Sequence, residues 1–147
     1  MTVQELHLAL GSRFENVELA QAAVDEVIAA HGVDEEARHW VGLAVREAIA
    51  NAIQHGNRLD ASKRVDVAMR FSGGVVEVEV ADEGEGFAPE AVRDPLAPEN
   101  LLRTNGRGIF YMRRFMDDVV YGSTAAGGTR VVLRRRIVDR LEGSQER

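Results

Sequence analysis

The spacing of apolar residues divides the first third of the chain into a strand and two helices. From Glu5 to Leu10 every second residue is apolar, which predicts a β-strand, and we expect it at a sheet edge. Apolar residues three and four apart from Val17 to Ile28 predict a helix. We expect Asn16 to cap this helix and His31-Gly32 to end it.

A second, longer helical pattern begins after Asp34, the predicted cap, and continues to Gly56. This segment is rich in alanine and apolar on more than one side, which predicts a helix packed against a sheet. Burying a charged or strongly polar residue in such a helix costs free energy, so we expect one there only if it has a structural or functional role. Glu47 and Asn51 are the two residues to which this applies.

The rest of the chain alternates in the strand manner around one long irregular segment. The predicted elements are a hairpin over 65–80 that turns at Ser72-Gly73-Gly74, a helix over 106–116 and a closing hairpin over 119–137. Residues 88–105 contain all three prolines and no periodicity, which predicts a lid-like loop. The element order favours an α+β two-layer sandwich, with helices on one face of a mixed, mostly antiparallel sheet. We expect one domain over residues 1–141 and a frayed tail over 142–147.

Composition and charge narrow the function. The 147 residues include no cysteine, so a disulfide framework and a thiolate metal site are excluded. A formal charge of −6 and a pI near 5.2 disfavour direct nucleic-acid binding, and Arg134-Arg135-Arg136 is interpreted as a solvated strand face. No secretion signal or membrane-spanning run stands out, which predicts a cytoplasmic protein without membrane contact.

A first candidate site is a polar stripe on the second helix. Glu47, Asn51 and His55 are four residues apart and therefore share one face. A carboxylate and an amide oxygen one turn apart suit a proton acceptor and a ligand for Mg²⁺. A half-exposed helix end without chemistry would give the same pattern.

A second candidate site is Asp82-Glu83-Gly84-Glu85-Gly86, at the end of a strand with one buried face. Its glycines allow the backbone to approach a ligand closely, and a carboxylate there can accept from an exocyclic amine such as that of adenine. A plain acidic turn is the alternative interpretation.

A third candidate site is Asn105-Gly106-Arg107-Gly108, where a helix is predicted to begin. Glycines at a helix N-terminus expose N–H groups that hold phosphate. Arg103 precedes the glycines and Arg107 lies between them, and we expect them to reach a terminal phosphate. A loop-to-helix junction without a ligand is the alternative.

The three segments occur in the order of the N, G1 and G2 boxes of the GHKL ATPase superfamily, which the chain resembles over roughly residues 10 to 138. Within it, the chain is similar to bacterial anti-sigma serine/threonine kinases of partner-switching systems. The segments that carry this similarity are Ala52 to Asn57, Phe115 to Val119 and Gly127-Gly128-Thr129.

This resemblance implies that the domain binds ATP and Mg²⁺. It makes Glu47 the base that takes a proton from a partner serine, Asn51 the Mg²⁺ ligand and Asp82 the reader of the adenine amino group. The other nucleotide-contacting residues that it implies are His55, Gly84, Gly86, Arg103, Gly106, Arg107, Gly108 and Thr129.

The implied partners are an anti-sigma-factor antagonist of the STAS-like type and a sigma factor, and a homodimer is expected through the edge near Leu6 and Leu8. Family kinases often carry an arginine in the first helix at the partner surface. Here that helix has Gln21, Asp25 and Glu26 instead. Two alternatives therefore stay open, namely a non-catalytic module switched by ATP and a kinase of the same fold with a partner other than a sigma factor.

Overall fold

A computed structural model describes residues 5–84 and 112–137 of the chain. Two helices, α1 (Glu15–Ala30) and α2 (Glu35–Asn51), follow the first strand, and a π-helical turn (Ala52–Gly56) continues α2. The strands are β1 (Glu5–Gly11), β2 (Arg64–Ser72), β3 (Val75–Ala81), β4 (Asp118–Ser123) and β5 (Thr129–Arg136). Residues 112–115 are helical and lead directly into β4.

The strands form one sheet in the order β1-β2-β3-β5-β4, and each pairing between them is antiparallel. The α+β class is confirmed, and the described part of the sheet is antiparallel rather than mixed. β1 lies at an edge, as predicted. β2 and β3 are joined by a two-residue loop in which Gly73 and Gly74 have φ of 57° and 78°. Positive φ at both positions is typical of a type I′ turn, which requires glycine-like freedom.

One face of the sheet is buried beneath the helices. The alternating residues Val65, Val67 and Met69 are 0–1% exposed, as are Val76, Val78 and Val80 on β3. They share a hydrophobic cluster with side chains of both helices, among them Val24, Ile28, Val41, Val45 and Ile49. α2 packs against α1 as well as against the sheet, which explains why it is apolar on more than one side.

The opposite face of the sheet is polar. A row of alternating charges crosses all five strands, formed by Glu5, Arg70, Glu77, Arg134 and Asp118. Its ion pairs include Arg134 Nε to Glu77 Oε2 at 2.7 Å and Arg70 Nε to Glu5 Oε1 at 3.5 Å. The interpretation of the three consecutive arginines as one solvated face is wrong for the middle one. Arg135 donates to the carbonyl of Phe115 at 2.6 Å, because successive strand residues point to opposite faces.

Two of the predicted helix ends are confirmed. The Asp34 side chain caps α2 by accepting from Ala37 N at 2.9 Å, and His31 and Gly32 end α1, with Gly32 at φ 72°. The predicted Asn16 cap is wrong, because α1 begins at Glu15 and the Asn16 amide donates to Gly11 O at 2.8 Å. Asn16 therefore ties α1 to the end of β1. None of the helices in the two described ranges is long and apolar enough to cross a bilayer.

Candidate active site

Glu47 and Asn51 lie on the last turns of α2, one helical turn apart. Both are partly exposed, whereas the neighbouring Ala48 and Ile49 are 2% and 0% exposed. The polar pair therefore occupies the one side of this helix that is not packed into the core. A carboxylate and an amide that stay accessible at this position can meet a ligand without disturbing the apolar side of α2.

The helix does not continue as an α-helix to Gly56, as the sequence predicted, but widens into the π-turn. Asn57 N donates to Ala52 O at 2.8 Å, which closes an i→i+5 ring, and Leu59 N donates to Ile53 O at 2.8 Å. Arg58 and Leu59 then have φ of 52° and 61°. Left-handed backbone at two successive non-glycine residues costs on the order of 1–3 kcal/mol each, and such positions cluster at functional sites.

The wider turn changes the predicted stripe at its third member. His55 lies in the π-turn and its residue is exposed, whereas Glu47 and Asn51 precede the turn. Residues four apart superpose less closely once the hydrogen bonds span five residues, so the regular spacing ends at Asn51.

Asp82 directly follows β3 and is 7% exposed. Its Oδ1 accepts from Gly84 N at 2.9 Å and from Thr129 N at 3.0 Å, and its own N–H donates to Thr129 O at 2.9 Å. The carboxylate is therefore held by backbone donors of its own turn and of β5. Its Oδ2 accepts no hydrogen bond from a described residue and points toward Gly56.

Three glycines surround this carboxylate at distances that exclude a side chain. A β-carbon on Gly56 would lie 2.1 Å from Asp82 Oδ2, one on Gly84 would lie 2.0 Å from Gly56 O, and one on Gly128 would lie 2.1 Å from Asp82 O. The end of the π-turn, the Asp82 turn and the start of β5 therefore touch backbone to backbone. Gly128 was assigned no role in the site from the sequence, because only the pairing of β5 with β3 reveals its approach.

The Asn57 side chain connects the end of the π-turn to the Asp82 turn and to the ends of β1 and β2. It is 1% exposed, and its Oδ1 accepts from Glu83 N at 2.8 Å. Its Nδ2 donates to Ser12 Oγ at 2.8 Å and to Arg64 O at 3.0 Å. Ser12, also 1% exposed, passes a further hydrogen bond to Lys63 O at 2.8 Å. Ser12 has no distinguishing pattern in the sequence, and Asn57 stands out there only as the last residue of the Ala52 to Asn57 segment.

The structure thus brings Asp82, Gly84 and Thr129 into one hydrogen-bonded unit and sets Gly56 against it. Glu47, Asn51 and His55 lie on the helix and turn that lead into Gly56. The remaining candidates, together with the predicted lid and most of the helix predicted after it, lie outside the described residues; these candidates are Gly86, Arg103, Gly106, Arg107 and Gly108. The roles of all these residues stay predictions.

The histidine kinase-like ATPase domain matches residues 10–135, which is most of the chain. The chain belongs to the histidine kinase-like ATPase family. The matched range includes the helix that carries Glu47 and Asn51, the turn at Asp82 and the strand that carries Thr129.

Two relatives that are both named anti-sigma F factor are similar over most of the chain. The chain is 34% identical to the anti-sigma F factor of Geobacillus kaustophilus over 137 residues, which are 90% of this chain and 92% of the relative. It is 31% identical to the anti-sigma F factor of Bacillus subtilis, over the same shares of both chains.

Solved structures support the fold. The structure of the RsbU and RsbW domains of a Mycobacterium tuberculosis protein is similar with a TM-score of 0.68 at 22% identity, over 92% of this chain. This chain spans 33% of that longer one. The catalytic domain of the histidine kinase ThkA is similar with a TM-score of 0.59 at 12% identity, over 91% of this chain and 96% of that one.

Family membership implies that the domain binds ATP. The Asp82 carboxylate and the three glycines around it, Gly56, Gly84 and Gly128, form a cradle that fits an adenine base. A buried carboxylate that keeps one acceptor oxygen beside a side-chain-free backbone suits an exocyclic amino group at close range. For a metal, no group of three or more His, Asp or Glu side chains within 5–84 and 112–137 is arranged to hold one. Mg²⁺ commonly takes few protein ligands and completes its shell with phosphates and water, which is compatible with Asn51 alone.

Proposed function

We propose that this chain is a cytoplasmic, ATP-dependent protein serine/threonine kinase that phosphorylates an anti-sigma-factor antagonist of the STAS-like type and also binds a sigma factor. The observation that supports this most is the juxtaposition of two elements. A buried carboxylate, Asp82, sits in a glycine-lined cradle, and the helix that supplies one wall of the cradle carries Glu47 and Asn51 on its accessible side. The names of the anti-sigma F relatives favour the choice of partner.

In this proposal the adenine base lies against the Asp82 turn. Asp82 Oδ2 accepts from the exocyclic amino group, while Oδ1 stays bound to Gly84 N and Thr129 N. Because backbone donors fix one oxygen, the other keeps its direction when the base leaves. A hydrogen bond built into the site in this way discriminates strongly against a base that lacks the donor, since the buried acceptor is then unpaired.

Glu47 is the proposed general base. A Glu47 carboxylate oxygen takes the proton of the partner's serine hydroxyl, the serine oxygen bonds to the γ-phosphorus, and the bond from that phosphorus to the bridging oxygen breaks, which releases ADP. Asn51, one turn further along α2, would hold Mg²⁺. The metal when bound would neutralise charge on the phosphate oxygens.

Transfer of labelled phosphate tests the kinase. The purified chain, incubated with Mg²⁺, γ-labelled ATP and a candidate antagonist, is expected to label a serine or threonine of the antagonist. If the chain binds ATP and captures an antagonist but transfers no phosphate to it, the proposed kinase activity is contradicted. A binding module switched by ATP is then favoured. Affinity capture followed by mass spectrometry shows whether the partner is a sigma factor or another protein, because a kinase with other targets would not recover a sigma factor.

We also propose a homodimer that uses the β1 edge. Leu6 and Leu8 do not serve as free apolar contacts there, because both are partly buried against the core. The exposed residues of β1 are Glu5, His7 and Ala9, so edge pairing would rest on backbone hydrogen bonds and on polar side chains. Sedimentation of a monomer at micromolar concentration would contradict the dimer.

A further inference from the structure

Asn57 forms every hydrogen bond that its side chain can donate. An amide has two N–H donors and a carbonyl acceptor. Both donors are used, toward Ser12 Oγ and Arg64 O, and the carbonyl accepts from Glu83 N. The residue is 1% exposed, so water does not compete for these groups. A buried polar group that is satisfied on both sides fixes the segments that it joins.

The acceptor and the donors of this amide bind different parts of the chain. The donors reach Ser12 and Arg64, at the end of β1 and the start of β2, which belong to the frame of the sheet. The acceptor reaches Glu83, which lies between Asp82 and Gly84. Glu83 N belongs to the peptide that links Asp82 to Glu83, so holding this N–H limits the rotation of the backbone that aims the Asp82 carboxylate.

Two further observations indicate that this position is held firmly. The Glu83 carboxylate accepts from Arg64 N, which ties the same turn to the start of β2 a second time. Immediately after Asn57 the chain adopts left-handed conformations at Arg58 and Leu59. Non-glycine residues persist there only when the surrounding structure over-determines them.

We propose that Asn57 is a positioning residue for the purine pocket: its Oδ1 holds the Glu83 N–H and so directs the Asp82 carboxylate toward the exocyclic amine of the base. This inference rests on the proposed nucleotide function. Asn57 itself does not contact the nucleotide and acts through Glu83 and Asp82. It sets how strongly the pocket prefers adenine to a purine with a carbonyl at the same position.

The test compares ADP with inosine diphosphate, which differ at that exocyclic group. Isothermal titration gives both dissociation constants for the wild-type chain and for Asn57→Ala. The wild type is expected to bind ADP about tenfold or more tightly than inosine diphosphate. An unsatisfied hydrogen bond to a charged group raises the dissociation constant by a factor of about ten or more. In Asn57→Ala, ADP binding is expected to weaken about tenfold with little change for inosine diphosphate, so the preference narrows toward unity.

Ser12→Ala is the matched control, because it removes a buried partner of the Asn57 donors and leaves the acceptor in place. It should lower the melting temperature and keep the preference for ADP. Asn57→Asp also keeps an acceptor while losing both donors, so it should be less stable and retain the preference. If Asn57→Ala does not fold by circular dichroism, Asn57→Ser serves instead, since its shorter side chain does not span the distance to Glu83 N.

The outcomes separate the two proposals. A folded Asn57→Ala chain that keeps the wild-type preference would overturn the role of Asn57 and leave the nucleotide pocket intact. Equal narrowing in Ser12→Ala would also overturn it, because general packing would then be the cause. A wild-type chain that binds neither nucleotide, or binds both equally, would contradict the adenine pocket itself.

Discussion

Gly56 and Asp82 contact each other only because Gly56 has no side chain. A β-carbon at Gly56 would lie 2.1 Å from Asp82 Oδ2, so Gly56→Ala must displace the carboxylate. We expect ADP affinity to fall at least about tenfold and stability to fall by about 1–3 kcal/mol, as is typical of overpacking. Titration calorimetry and urea unfolding measure the two effects.

Gly122→Ala is the control for this substitution. Gly122 is exposed in β4, and a β-carbon there would meet nothing within 4 Å. Its nucleotide affinity should match that of the wild type. If Gly56→Ala bound ADP as tightly as Gly122→Ala, the carboxylate could not be the group that reads the base.

Removal of the proposed base should separate chemistry from binding. Glu47→Gln keeps the size and hydrogen-bonding capacity of the side chain but cannot take a proton at neutral pH. We expect phosphate transfer to fall by about a hundredfold or more, within the range of general-base catalysis, and ADP affinity to change little. Single-turnover transfer from labelled ATP measures the first and calorimetry the second.

Glu36→Gln is the matched control, since Glu36 is an exposed glutamate in the first turn of the same helix. It should transfer phosphate at the wild-type rate. A Glu47→Gln chain as active as Glu36→Gln would show that another group accepts the proton.

The sequence predicts the parts of this fold that depend on local periodicity. The alternation of Val65, Val67 and Met69 predicted a strand with one buried face, and the position of Asp34 predicted the cap of α2; both are confirmed. Periodicity could not reveal the π-turn, because a single added residue per turn changes little in a short apolar run. The Asn16 cap failed because the sequence does not show that Gly11 O would take its amide.

The candidate site, like the fold, was predicted only in part from the sequence. The glycine-acidic turn at Asp82 was recognisable, and the structure adds that Thr129 N, 47 residues away along the chain, binds its carboxylate. Contacts at such separation follow from strand order, here the pairing of β3 with β5. That pairing brings Gly128 to Asp82, whereas Gly56 and Asn57 meet the Asp82 turn from the end of the π-turn. Each of the three acts through what it touches in space.

Asp25 on α1 is expected to lower stability at neutral pH. Desolvation raises the pKa of its carboxyl above 3.8, and the opposing charge of Arg38 only partly offsets this. It lies against Gly42, where a β-carbon would be 2.9 Å from its Oδ1. A raised folded-state pKa means that the fold favours the neutral acid, so its contribution is present below pH 3.8 and lost as the pH rises through the folded value.

Asp25→Asn should therefore be more stable than the wild type at pH 7, by a few tenths of a kcal/mol because the group is largely exposed. This advantage should shrink as the pH falls toward 3. Urea unfolding at several pH values measures it, with Glu26→Gln as a control on the exposed side of the same helix. A lower stability of Asp25→Asn at pH 7 would show that attraction to Arg38 outweighs desolvation.

Tyr121 should make the fold sensitive to alkali. Burial raises the pKa of its hydroxyl from 10.0 to about 12, and the charge of Arg113 opposes that shift only in part. The raised folded-state pKa means that the stability from the neutral phenol is fully present below pH 10 and is lost as the pH rises toward 12.

Few other groups titrate in that interval, because the chain has one lysine, Lys63, and one other tyrosine, Tyr111. We expect the wild type to lose up to about 2 kcal/mol relative to Tyr121→Phe between pH 10 and pH 12. Urea unfolding of both chains across this range measures the difference, and phenolate absorbance follows the ionisation directly. Since Tyr111 is common to both chains, its titration cancels in the comparison. Parallel pH profiles would mean that the Tyr121 hydroxyl ionises as easily in the folded chain as in the unfolded one.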